Sequence, residues 1–225
     1  MEIKEVCIGH IAEIFLYEYY VAGNEEYKLK EENTYAVHSE AGKHFMENGD
    51  YEAALQEWIR AHEDNPVSQE ALLNIVNCYI HLENIEKVLE YTKKSYDFCC
   101  TRAELAAFYR NLGFYYVSVY KPEVAAACYR YSTLFVESEA AENEIKFLEK
   151  ALKKSMGKLT IEEMQKLLSE NDIPLQANSV TLALIYKAGQ EAAQRGLKSQ
   201  AHDCFSMVYD LTHDEEVKNI LQKMV

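Results

Sequence analysis

A chain of 225 residues, 48% hydrophobic and 27% charged, has enough apolar material for a sizeable core and neither a disordered nor a membrane composition. Only eight glycines and three prolines argue against a turn-rich all-β protein and for long helices. The net charge of −14 speaks against nucleic acid or an anionic membrane as partner, because phosphate binding needs basic surface.

The longest uncharged run of note, 173–186, carries a proline and several polar residues and is too short to span a bilayer. The opening Met-Glu-Ile-Lys-Glu lacks the basic and apolar regions of a secretion signal. Six cysteines, Cys7, Cys78, Cys99, Cys100, Cys128 and Cys204, show no paired spacing. Together these point to reduced thiols and a cytoplasmic location.

Residues 1–34 read two ways. Ile3, Cys7, Ile11 and Ile14 fit one helical stripe that continues through Tyr20. Alternatively Tyr17, Tyr19 and Val21 alternate ahead of Gly23-Asn24, and Tyr27 and Leu29 alternate after it, as in a β-hairpin. The helix is favoured, because a lone hairpin is marginal without a sheet to join. It would cap the first of the units that follow.

From Tyr35 the periodicity is clear. His38, Ala41, Gly42 and Phe45 share one helical face, and Gly49 ends that helix. Ala54, Trp58 and Ala61 form the matching stripe of a second helix, which Pro66 follows. Shifted by 34 positions, the pattern returns as Leu72, Ile75, Val76, Tyr79, Ile85 and Val88. Shifted by 71, it returns as Tyr109, Leu112, Gly113, Tyr116, Ala125, Tyr129 and Ser132. Shifted by 147, it returns as Ile185, Ala188, Gly189, Ala192, Ala201, Phe205 and Val208. This is an internal repeat.

Between the third and fourth copies lie one helix with Ile145, Leu148 and Leu152, and a second opened by a Thr160/Glu163 capping box. The gap therefore holds one degenerate helix pair, and the stack is expected to be continuous. Asp214 is placed to N-cap a last helix carrying Val217, Ile220 and Leu221. The units run 35–68, 69–105, 106–142, a degenerate 143–181 and 182–213, with a capping helix at 214–225.

Residues 35–66 resemble a tetratricopeptide repeat (TPR), with Ala41-Gly42, Phe45, Ala54, Trp58, Ala61 and Pro66 at the signature positions. Residues 106–137 repeat the likeness through Tyr109, Leu112-Gly113, Tyr116, Ala125 and Tyr129, with Glu137 in place of the proline. The resemblance implies an all-α fold, a right-handed α-solenoid of about five helix-turn-helix units with capping helices, whose first helices line a concave groove. It also implies a peptide or partner helix bound there. Carried over position by position, the groove holds Ser39, Lys43 and Met46 from the first copy and Leu73, Asn77, Ile80 and His81 from the second. The third supplies Arg110, Phe114 and Val117, and the fourth Tyr186 and Gln190. Lys43 and Arg110 are placed to receive a carboxylate of the partner, with Asn77 supplying amide hydrogen bonds. The family's carboxylate-clamp pattern is incomplete here, since Ala107 and Asn111 stand where it needs basic residues.

Chemistry beyond binding finds little footing. Glycines never fall closer than seven positions apart, so no phosphate-cradling loop can form. No two histidines sit at i, i+4, and there is no Cys-x-x-Cys, so neither a metal nor another cofactor is expected. Cys99-Cys100 reads as two small packing residues rather than a redox pair. Among the 17 tyrosines, Tyr115 and Tyr120 are the least explained by the repeat, and a second copy of the chain is one candidate to cover them. The expected function is a non-enzymatic protein- or peptide-binding scaffold. The alternatives are the peptide-sensing module of a bacterial regulator, whose DNA-binding unit residues 1–34 are too short and acidic to supply, and an enzyme that uses the groove.

Overall fold

Most helices begin where the sequence supplies a cap. In the computed structural model, which describes residues 3–224, helix α2 (Thr34–Glu47) starts after Asn33 and α3 (Tyr51–Asp64) after Asp50. Their side-chain oxygens accept from the Ala36 and Ala53 amides, which would otherwise be orphaned. Ser68 and Asn84 do the same for α4 (Gln69–His81) and α5 (Ile85–Tyr96). A Thr101/Glu104 capping box opens α6 (Arg102–Ser118), and Pro122 opens α7 (Pro122–Thr133). Helices α8 (Glu139–Leu152) and α9 (Ile161–Ser169) follow, the latter behind the Thr160/Glu163 box that the sequence predicts. Asn178 caps α10 (Ser179–Gln194), and α11 (Lys198–Thr212) and α12 (Glu215–Met224) complete the chain. Asp214 Oδ1 accepts from the Glu216 and Val217 amides at 2.8 and 3.1 Å, as expected.

The protein is all-α, with α2 to α7 packing in series, each helix on the next. Within the pairs α2/α3, α6/α7 and α10/α11, a glycine of the first helix lies against a ring of the second: Gly42 on Trp58, Gly113 on Tyr129 and Gly189 on Phe205. These are equivalent positions of the internal repeat. Trp58 and Tyr129 are buried large knobs that only a residue without Cβ can approach so closely.

The N-terminal segment departs from both expectations. Strand β1 (Lys4–Val6) pairs in parallel with β2 (Tyr27–Leu29), Lys4 opposite Tyr27 and Val6 opposite Leu29. Helix α1 (Ile11–Tyr17), continued by a π-helical turn over Glu18–Ala22, makes the crossover. A parallel pair requires such a crossover, so the hairpin is ruled out. The helix is shorter than the stripe implied, since Ile3 and Cys7 lie outside it.

The placement of α1 is a second correction. Expected to cap the first unit, it packs instead on α10 and α11, near the other end of the chain. Ile11 and Ala12 share a core with Ile185, Ala188, Ala201, Cys204 and Phe205, and the Ile11 amide donates to Gln200 Oε1 at 2.8 Å. Its flanking residues reach the first pair: the Cys7 amide donates to Asp64 O at 2.7 Å, and Lys30 Nζ lies 2.6 Å from Asp64 Oδ1. The segment is thus a wedge between the α2/α3 and α10/α11 pairs.

The expected unbroken stack is interrupted at the same place. Both α8 and α9 pack on α7, while the main packing partners of α10 are α11 and α1. The 171–178 segment runs back past α5, α6 and α7, and tyrosines pin it. Hydroxyls of Tyr109, Tyr131 and Tyr96 donate to the carbonyls of Pro174, Leu175 and Gln176 at 2.8, 2.8 and 2.9 Å. Its end docks on Asp97, whose carbonyl accepts from Thr181 Oγ1 (2.7 Å) and whose Oδ1 accepts from Asn178 Nδ2 (2.8 Å).

Candidate functional site

The face of α2, α4 and α6 that carries the sequence-predicted groove residues is part core and part surface. Ser39 is buried and donates to Ala36 O of its own helix. Met46 is half-buried, with Sδ accepting from Trp58 Nε1 at 3.1 Å. Ile80, Phe114 and Met46 all pack against the cluster built on Ala54, Trp58, Ile75 and Val76, so three copies contribute to one apolar patch. Leu73 and Asn77 are half-buried on the same helices, while Val117 packs against the neighbouring cluster that includes Leu112 and Tyr116. His81 is exposed and stacks on Tyr51, ring centroids 3.8 Å apart and 6° from parallel. Tyr186 packs edge-on against Phe205, and Gln190 is exposed; both belong to the pair that α1 flanks.

The two basic groove residues have different surroundings. Lys43 Nζ is 2.7 Å from Glu70 Oε1 and 6.0 Å from the Trp58 ring centroid. Partial burial pulls the Glu70 carboxyl upward, but Lys43 and the Tyr35 hydroxyl outweigh it and hold it below its ordinary value. Lys43 is therefore already paired. Arg110 is half-buried and, among the described residues, has neither an ion-pair nor a hydrogen-bond partner. Burial lowers its pKa from the usual guanidinium value. Its guanidinium donors are thus not used within the described residues.

A separate, concave site was not visible in the sequence. It opens where α1, the starts of α4 and α6, and α11 meet, a cleft of about 330 Å³ lined among others by His10, Glu13, Gln69, Glu70, Cys100 and Glu104. Three helices present their first turns to it. Glu13 closes a capping box with His10 on α1, and Glu104 closes the one with Thr101 on α6. Glu104 Oε2 accepts from the Cys100 and Thr101 amides at 2.7 and 2.9 Å, yet burial, with Asp210 nearby, leaves its pKa raised. The signal that could have located one wall is His10-Ile11-Ala12-Glu13, a capping box with histidine in place of serine or threonine.

Cys100 lines this cleft, and Cys99 lies behind it in contact with Gln69. Cys99 is fully buried, donates to Ser95 O and accepts from Gln69 Nε2 at 3.2 Å. Burial pushes both thiols well up, so little reactive thiolate forms near neutral pH. Among the described residues no group of three or more His, Cys, Asp or Glu is arranged to hold a metal ion, and no helix is long and apolar enough to cross a membrane. No protein-family model and no curated protein matches the chain.

Proposed function

We propose that this chain is a non-enzymatic scaffold of tetratricopeptide-repeat type that binds a peptide or partner helix along the face of α2, α4 and α6 and works in the cytoplasm. One observation carries the reading. The glycine-to-ring contact recurs at equivalent positions in three helix pairs, Gly42 on Trp58, Gly113 on Tyr129 and Gly189 on Phe205. A contact of that kind sets a fixed angle between the two helices of a unit, which is what stacking units require.

The reading also uses the face that stacking leaves over. There Leu73 and Asn77 lie half-buried near an apolar patch, and Arg110 supplies a desolvated and unpaired charge. Such a surface suits a peptide with apolar side chains and one carboxylate.

Selection from a random-peptide library on the immobilised protein, followed by titration of the enriched peptides, tests it. Enriched peptides carry an acidic residue or a free C-terminus, and Arg110→Glu weakens them about tenfold or more, the scale of a charge-assisted hydrogen bond. Lys198→Glu on α11 leaves them unchanged. Equal binding by wild type and Arg110→Glu would remove the face from consideration.

A further inference from the structure

The cleft between α1, α4, α6 and α11 lies apart from Arg110 and has a different chemistry. Its charged groups are acceptors. Glu13, Glu70 and Glu104 line it, and no lysine or arginine does. Glu70 is already paired, with Lys43 Nζ 2.7 Å from Oε1 and the Tyr35 hydroxyl donating to Oε2. Glu13 Oε1 accepts from Asn65 Nδ2, which leaves Glu104 as the lining carboxylate with no partner outside its own capping box. The one lining imidazole, His10, accepts from the Ala12 amide through Nδ1 and lies 3.8 Å from Asp203 through Nε2.

An independent feature points to a ligand. Gln69 is 7% exposed and spends its Nε2 on Cys99 Sγ, while its Oε1 has no hydrogen-bond partner among the described residues. A buried amide oxygen without a donor is unfavourable, and native structures rarely keep one without a reason. Beside it, Glu104 uses Oε2 for two backbone amides and leaves Oε1 without a backbone donor. The same cleft thus combines an unpaired buried amide oxygen with a carboxylate held only within its own capping box. Leu16, Phe98 and Met207 give it an apolar wall.

We propose that this cleft binds a primary ammonium group on a short alkyl stem, the ammonium donating to Gln69 Oε1 and Glu104 Oε1 and the methylenes lying along Leu16, Phe98 and Met207. An ammonium is compact and carries three donors and no acceptor, which matches Gln69 Oε1 and the Glu104 carboxylate. The same chemistry is offered by a free alkyl diamine and by the side chain of a lysine within a peptide.

Calorimetric titration of the full chain separates the two. The probes are 1,5-diaminopentane, a blocked Gly-Lys-Gly peptide and its norleucine counterpart. Binding of the diamine alone assigns a free amine, and binding of the lysine peptide but not the norleucine peptide assigns a side chain. In either case Glu104→Gln and Gln69→Leu weaken the bound probe about tenfold or more, and Arg110→Glu does not change it. Glutamine serves at the third helical position of a capping box as glutamate does, so Glu104→Gln keeps its fold and decides the matter if Gln69→Leu does not. Absence of binding by both amines, or undiminished binding in Glu104→Gln, overturns the proposal.

Discussion

Gly42 lies flat against the indole of Trp58: a Cβ built on it would stand 2.7 Å from Nε1 and 2.8 Å from Cε2. Trp58 has no exposed surface and donates from Nε1 to Met46 Sδ, so the ring has nowhere to move. Gly113 stands in the same relation to Tyr129, at 2.8 Å, whereas Gly189 is looser, with Cys204 Cβ at 3.1 Å.

Gly42→Ala and Gly113→Ala are therefore expected to destabilise, although alanine is the better helix former by about 1 kcal/mol. Overpacking outweighs that gain, for a net loss on the order of 1–2 kcal/mol. Gly189→Ala falls closer to neutral. Urea unfolding followed through the single tryptophan, Trp58, measures all three. Gly189→Ala as the most damaging of the set would contradict this ordering.

Acid should weaken the fold through His62. Burial, aided by the positive charges of Lys94 and Lys4, lowers its pKa from 6.5 to about 4. Between those values the unfolded chain binds a proton that the folded chain does not, so stability falls as pH drops from 6.5 towards 4. The loss is on the order of 2–3 kcal/mol at the lower end. His62→Gln is expected to flatten this part of the stability–pH curve; an unchanged slope would assign the effect to other groups.

Tyr109 and Tyr131 hold the 171–178 segment through one hydroxyl each. Tyr109→Phe and Tyr131→Phe each cost about 0.5–1.5 kcal/mol, the usual net worth of one hydrogen bond. Both also speed hydrogen exchange in that segment. Tyr120→Phe, at a residue 92% exposed, changes neither quantity.

The helices were legible because their periodicity and caps are local. Ala54, Trp58 and Ala61 fall on one stripe, and Thr160/Glu163 and Asp214 mark starts within four residues of the helices they open. What was not legible depends on pairs distant in sequence. The Ile11 amide meets Gln200 and Tyr20 meets Thr181, contacts that no window of local pattern contains. The parallel strands are three residues each, too short to show alternation. Tyr96 and Tyr131 find their reason in the return segment, donating to Gln176 O and Leu175 O. Tyr115 and Tyr120, the two the repeat leaves unexplained, do not: Tyr115 packs edge-on against Tyr116 and Tyr120 is exposed. The residues mapped to a groove by repeat position lie on α2, α4, α6 and α10. Nothing in their spacing showed that Ser39 would be buried or that Lys43 would already face Glu70.

Lys30 and Asp64 tie the N-terminal wedge to the first pair. Asp64 is 7% exposed, and its Oδ2 has no partner among the described residues. Lys30→Met strands the carboxylate and costs about 2 kcal/mol, less than for a fully buried pair because Lys30 reaches solvent. The hydrogen bond to Asp64 raises the Lys30 pKa above 10.5. The stability that this shift contributes is complete below 10.5 as far as Lys30 is concerned and is lost as pH rises through its folded value. Thermal unfolding of the single variant and of Lys30→Met with Asp64→Leu checks it, the double variant recovering part of the loss.

The wedge itself is tested most directly by hydrogen exchange across the whole chain in Ile11→Glu. Ile11 is 3% exposed and packs among α10 and α11 residues, so a charge there should lift α1 from its seat. The expected result is a loss of protection in 179–212 that exceeds the loss in 34–64. Loss confined to 34–64, with 179–212 as protected as in the wild type, would mean that α1 caps the first pair and that the cleft it forms with α4, α6 and α11 does not exist.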